Sequence, residues 1–319
     1  MALLGYHASH EQLPPSSLLS HVRRAEDAGF DAAMCSDHFH PWSEQQGHSG
    51  FAWSWLGAAL QATELPMGVV NAPGQRYHPA IVAQAAATLG ELFGERFWLA
   101  VGSGQDLNEH ITGDPWPRKQ ERNRRLLESV EIIRALWRGE TVTHHGAVVV
   151  EDAHLFTRPA NPPRLLGAAI TPATAAWVAG WADGLITVAR PLEELREVVA
   201  AFRGGGGEGR PMALQVQLSY GPTDEDSLRA AHEQWRTNIF DSSVLASLRT
   251  PADLEAAAAF VRPDDLRGPV LVSADTGQHT AWLADYLELG FDELYLHDVH
   301  ADQERFLHDF GDRVLPELR

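Results

Sequence analysis

Hydrophobic positions along this chain switch between two rhythms. Short, nearly continuous apolar runs recur, as in strands buried on both faces. Between them lie longer segments with apolar residues three and four apart, as in one-sided helices. The strand-like runs fall at Leu3 to His7, Asp31 to Cys35, Pro66 to Val70, Phe97 to Val101, Leu165 to Ala169, Gly184 to Val188, Met212 to Tyr220 and Glu293 to His297. Helical segments fall at Pro14 to Ala28, with Leu18, Leu19, Val22 and Ala25 on one stripe, and at Phe51 to Thr63, Pro79 to Phe93 and Trp116 to Arg138. Further ones are Pro172 to Gly180, Leu192 to Phe202 and Asp275 to Leu289. Several stop near a glycine (Gly29, Gly94, Gly139), the residue best suited to a helix end. Thr141 to Glu151 alternates like a hairpin, Gly204 to Gly207 reads as a flexible surface loop, and residues 223 to 263 read as a helical insertion. Strand–helix alternation without a break in composition predicts a single domain over residues 1–319. The fold class is α/β, a (β/α)8 TIM barrel with insertions.

Composition narrows the partners more than the fold. With 44% hydrophobic residues, the 319-residue chain can fill a large core. Twenty-five basic against 43 acidic residues leave a net charge of −18. Neither nucleic acid nor an anionic membrane fits such a surface, because both need a basic face. No apolar run is long enough to cross a bilayer, and the chain opens without a basic-then-apolar leader. The single cysteine, Cys35, sits inside a strand-like run as a small hydrophobe, in keeping with a cytoplasmic location.

In a barrel of this type the chemistry collects where strands end. The most telling segment is Ser36-Asp37-His38-Phe39-His40-Pro41-Trp42, directly after the second strand. His7, Ser9 and His10 follow the first strand, and Asn71 with Arg76, Tyr77 and His78 follows the third. Gly102-Ser103-Gly104-Gln105 follows the fourth, leading to Asn108 and Glu109. The Gly-Ser-Gly turn and the helix start at Ile170 to Thr174 both free backbone N–H groups for an anion such as phosphate. A histidine near neutral pH makes a general base, with Asp37 or Glu109 to orient it. Trp42, Trp53 and Trp55 offer walls for a flat ring, or plain packing between barrel and helices. His38 and His40 are two apart and point to opposite sides of an extended segment, which disfavours a shared metal. A metal-dependent hydrolase on the same barrel is the alternative from another chemical class.

Several segments together resemble the bacterial luciferase-like superfamily: Gly5-Tyr6, Ser36 to Phe39 with Pro41-Trp42, Gln46-Gly47-His48, Arg76-Tyr77, Gly102-Ser103-Gly104 with Leu107-Asn108-Glu109, and Ala182-Asp183-Gly184. Within it, the chain is similar to the deazaflavin (coenzyme F420)-dependent glucose-6-phosphate dehydrogenases. The resemblance implies a (β/α)8 barrel, usually dimeric, that carries out flavin-dependent redox chemistry. It makes His38 the active-site histidine and Trp42 the tryptophan over the substrate pocket. Asp37 falls beside the flavin ring, and Val69-Val70 matches a non-proline cis peptide against it. Asn108 and the stretch Ala168, Ala169, Ile170 and Thr171 match contacts to the cofactor tail, and Ser103 joins them as a cofactor contact through its Gly-Ser-Gly turn.

Three departures qualify that picture. Gln105 stands where the family has a second catalytic glutamate, and an amide cannot supply an acid's proton. The usual double glycine at the cofactor phosphate is replaced near Ile170-Thr171. Pro191 and Gly268 fall about where lysines grip a sugar phosphate, with Arg190 beside the first, so glucose 6-phosphate is not expected. These changes and the acidic composition favour FMN, with the deazaflavin as the alternative cofactor. The expectation is therefore an oxidoreductase that moves hydride to or from a small organic substrate. The same barrel could instead run reduced-flavin monooxygenation, with a flavin reductase as a further partner beside a second copy of the chain. A non-catalytic flavin-binding protein is the third reading.

Overall fold

The computed structural model describes residues 2–319. Eleven strands form: β1 (Leu3–Ala8), β2 (Ala32–Ser36), β3 (Met67–Asn71), β4 (Phe97–Val101), β5 (Val142–His145), β6 (Val149–Ala153), β7 (Arg164–Ala168), β8 (Gly184–Val188), β9 (Met212–Ser219), β10 (Leu271–Val272) and β11 (Glu293–Asp298). Hydrogen-bonded neighbours run β9-β11-β1-β2-β3-β4-β7-β8, and β8 pairs back onto β9, so the parallel sheet closes into the expected barrel. β5 and β6 form the separate antiparallel hairpin, and β10 lengthens the sheet at the tip of β9. Each of the eight strand-like runs of the sequence becomes a barrel strand.

Period-two alternation divides each strand between two cores. Inward residues Ala32, Met34, Trp98, Ala100, Leu166, Ile186, Ala213 and Tyr295 fill the barrel, with Val70 and Ala168 packed on them. Outward residues such as Leu4, Ala33, Val69, Leu99 and Leu165 meet the helices in the main core. The interior is a packed solid. A Cβ on Gly68 would lie 2.0 Å from the Trp98 ring, so only glycine leaves space for that indole.

The insertion after β9 folds as the helices Asp224–Trp235, Ser242–Leu245 and Pro251–Ala257, with capping by Thr223 on Asp226 and a reciprocal Thr250–Asp253 box. It builds a small core of its own from Ala231, Trp235, Leu266, Val270, Val272 and Val299. One expectation needs sharpening. Residues 204–207 follow the helix Leu192–Phe202 as a wide surface turn in which Gly206 leaves helical geometry at φ +106°. The reason is close packing: a Cβ on Gly205 would come 2.6 Å from the Ala176 carbonyl of the helix Pro172–Val178.

Candidate active site

The strand ends meet at one mouth, and the loop after β1 supplies a residue that the sequence patterns passed over. Glu11 is only 2% exposed. Ser9 Oγ and Ser36 Oγ donate to its Oε2 at 2.9 and 2.8 Å. Its Oε1 lies 3.4 Å from His38 Nδ1, and neither of those two buried atoms has any other partner. Burial alone would raise the Glu11 carboxyl, but His38, the Ser36 hydroxyl and His7 outweigh it and hold the group below its ordinary value. Burial lowers His38, offset in part by the Glu11 charge, so the ring is neutral at pH 7. An ionised Glu11 facing Nδ1 places the proton on that nitrogen. Nε2 is left with its lone pair, a base aimed away from Glu11. The signal for Glu11 was its place just after a strand, four residues beyond His7.

Trp42 stands beside this pair, its ring 4.9 Å from that of His38, and its backbone N–H donates to Gln46 Oε1 at 2.9 Å. Trp53 and Trp55 do not join it. Trp55 donates to the Pro15 carbonyl and Trp53 packs on Phe97, so both belong between barrel and helices.

Asp37 does not orient His38. Its Oδ2 accepts from Asn71 Nδ2 at 2.7 Å and its Oδ1 from the Tyr77 hydroxyl at 3.1 Å, with Arg76 Nη2 at 3.6 Å. Arg76 also donates from Nη2 to the Asp37 carbonyl and from its backbone N–H to Glu109 Oε2. Glu109 is thereby committed to Arg76, and burial raises its carboxyl above the usual value despite that partner. Glu11 takes the role expected of Asp37 or Glu109 because it alone faces the imidazole.

The remaining expected contacts divide in two. Val70 and Ala168 point into the barrel, whereas Val69 and Ala169 point outward into the helix-facing core, as alternation requires. Among the described residues every peptide bond is trans, Val69–Val70 included: both residues stay in the ladder, paired with Cys35 and Leu99 and with Ser36 and Ala100. Ser103 Oγ accepts from Lys119 Nζ at 2.9 Å. The Asn108 side chain ties the β2 loop, its Oδ1 accepting from the N–H groups of Phe39 and His40 at 2.9 and 3.3 Å. The Gln105 carbonyl accepts from the N–H groups of Asn108 and Glu109, which starts the short helix Asp106–Glu109. Ile170 and Thr171 line a cleft of about 180 Å³ with Pro172, Arg190, Asp241 and Ser242. His40 turns to the Leu107 carbonyl at 2.9 Å, away from His38.

The described residues include no helix long and apolar enough to cross a membrane, and no group of three or more metal-ligating side chains. Known proteins agree with the geometry. The family described as luciferase-like monooxygenase matches residues 3–293. The F420-dependent glucose-6-phosphate dehydrogenase of Beutenbergia cavernae is 37% identical, covering 100% of this chain and 98% of that protein. The protein of that name from Microbacterium testaceum is 36% identical over 99% and 97%. A solved F420-dependent secondary alcohol dehydrogenase in complex with an F420-acetone adduct superposes with a TM-score of 0.93 at 28% identity, covering 100% of this chain and 99% of that one. Nothing among them supports a hydrolase. With a closed parallel barrel, a His38–Glu11 pair at its mouth and this similarity along its length, the chain belongs to the luciferase-like monooxygenase family and is an oxidoreductase.

Proposed function

We propose that this protein is a deazaflavin-dependent dehydrogenase that interconverts a small secondary alcohol and its ketone. The observation that carries this reading is the His38–Glu11 pair, a neutral imidazole at the barrel mouth whose Nδ1 faces a carboxylate, which leaves Nε2 to act as the base. The relatives named for F420 support the cofactor, and the secondary alcohol dehydrogenase supports the substrate class. The deazaflavin replaces FMN as the favoured cofactor because the charge that matters is local. Lys119 on Ser103 sits near Arg122, and Arg122 near Arg125. Burial and this mutual repulsion lower Lys119 and Arg122. That basic cluster suits an anionic cofactor tail. The cleft at Thr171 suits a phosphate poorly, since Arg190 is paired there with Glu194 at 3.5 Å, and Glu197 and Asp241 also line it.

In this reading Val70, Ala100 and Ala168 flank the flat ring, and Ser103 with Lys119 meets the tail. A bound deazaflavin supplies the acceptor for the substrate's hydride. His38 Nε2 takes the proton of the carbinol hydroxyl, Glu11 steadies the imidazolium so formed, and Trp42 shields the site from water. Gln105 is no acid, so His38 alone carries the proton. A sugar phosphate finds no cation at the two places where lysines are expected: Pro191 precedes a helix and Gly268 lies on an exposed turn. No flavin reductase is needed when the alcohol itself is the donor. A homodimer fits the exposed Phe51 and Ile81 beside an apolar groove of about 290 Å³, and the buried thiol of Cys35 fits a reducing cytoplasm.

Titration with the deazaflavin, FMN and riboflavin tests the cofactor, and 2-butanol tests the reaction. Tight binding of the deazaflavin alone, with its reduction by 2-butanol, is expected. His38→Ala should lower turnover by about 10²–10⁴-fold while leaving cofactor affinity within a few-fold. Preference for FMN, or turnover per bound cofactor near wild type in the variant, overturns the assignment.

A further inference from the structure

The barrel mouth holds another imidazole for which His38 chemistry has no use. His7 lies in β1 with its side chain turned into the barrel, near enough to Glu11, His38 and His297 to feel their charge. It is 3% exposed, and both Nδ1 and Nε2 are buried without a hydrogen-bond partner. Leaving such a group unmet costs about 1–3 kcal/mol, so a fold that keeps it is arranged around something that arrives later.

His297, its ring 4.4 Å from that of His7, cannot be the partner. Gln12 Nε2 donates to the Val299 carbonyl at 2.9 Å, so Gln12 Oε1 must accept. It accepts from His297 Nε2 at 2.6 Å, which places the His297 proton on that nitrogen and leaves Nδ1 to Gln215 at 3.5 Å. His297 is thereby committed on both sides. Burial holds His7 well below the usual histidine value, so it is an uncharged ring with one donor and one acceptor. A hydroxyl satisfies both roles. A carboxylate or phosphate would instead meet the negative charge of Glu11.

Position sets this ring apart from most of the expected cofactor contacts. Val70, Ser103, Asn108 and Ala168 lie in or just after β3, β4 and β7, whereas His7, Glu11, His38 and His297 belong to the arc β11-β1-β2, where Asp37 is the one expected contact. We infer that His7 reads a second, uncharged hydroxyl on the substrate, so that the preferred substrates are hydroxylated secondary alcohols of the diol type. This rests on the alcohol dehydrogenase reading above.

The test uses the full, deazaflavin-loaded protein with 2,3-butanediol against 2-butanol. Wild type should favour the diol in kcat/KM. In His7→Phe the diol-to-butanol ratio should fall about tenfold, the worth of one lost hydrogen bond, with part of it regained in His7→Asn. An unchanged ratio overturns the inference. So does a loss of deazaflavin affinity in step with the ratio, which would give His7 to the cofactor. Ring-nitrogen NMR of ¹⁵N-histidine-labelled protein reads the subsite without turnover, the His7 signals being those absent from His7→Phe. They should move with 2,3-butanediol and stay with 2-butanol, and no movement with the diol overturns the inference. If wild type oxidises neither alcohol, the dehydrogenase reading fails on its own and the NMR arm still decides the subsite.

Discussion

Glu11 carries a charge that a barrel interior ordinarily refuses. Two serine hydroxyls and the facing imidazole make that charge tolerable. These partners come from two strand ends: Ser9 follows β1, while Ser36 closes β2 and His38 follows it. Glu11→Gln should therefore do more than remove one contact. Without the carboxylate that raises it, His38 falls further, and the acid limb of kcat/KM against pH should move to lower pH. The tautomer with Nε2 free loses its anchor, so turnover should also fall about tenfold or more. A purely structural Glu11 would lower stability and leave that limb where it was. Glu11 was hard to find in the sequence because a single acid after a strand looks like any solvated loop residue. His38 and Trp42 stood out through the density of unusual residues around them.

At the scale of elements, strand ends place groups and loop ties hold them. Asn108 on the short helix after β4 accepts from the β2 loop, and Gln46 joins that same loop to the insertion by donating to the Gln234 carbonyl at 2.9 Å. The hydrophobic rhythm showed each strand to within a residue or two because burial on both faces writes a nearly continuous apolar run. It could not show which of two neighbours faces inward, since both are apolar, and the resemblance that paired Val69 with Val70 could not separate them either. Register decides that, and the interior ring of Trp98 makes the same point. Gly68→Ala would drive a Cβ to 2.0 Å from the indole, in a strand held on both sides. The variant should lose about 1–3 kcal/mol or more, read as a fall in the urea midpoint with an unchanged slope.

For the molecule as a whole, buried histidines link folding to pH. Burial is the largest cause lowering His7, His38, His279 and His297, with His279 brought to about 4 and His297 to about 3. Each ring is neutral in the fold and takes up a proton more readily once unfolded, so the unfolded chain binds more protons below the ordinary histidine value of about 6.5. These rings should add no pH dependence above that value and should make stability fall as pH drops from about 6.5 toward about 3. Thermal melts across that range check the sign, and His279→Gln should make the decline shallower. A Tm that holds steady down to pH 4 would show that these rings do not stay neutral in the fold. The net charge of −18 says little about the site, because Lys119, Arg122 and Arg125 gather on one side of the mouth.

The sequence by itself determined the alternation of strands and helices, the closed barrel that follows from it, and the family. These are written in local periodicity and in short motifs, which need no knowledge of distant contacts. Only the tertiary structure decided which acid faces His38, which valine enters the barrel, and which imidazole is left without a partner. Those depend on residues brought together from separate strand ends, as Glu11 meets His38 or Gln12 meets His297 across 285 positions of chain. A hydrogen-bond partner is a matter of distance and direction in space, and neither is legible along the chain.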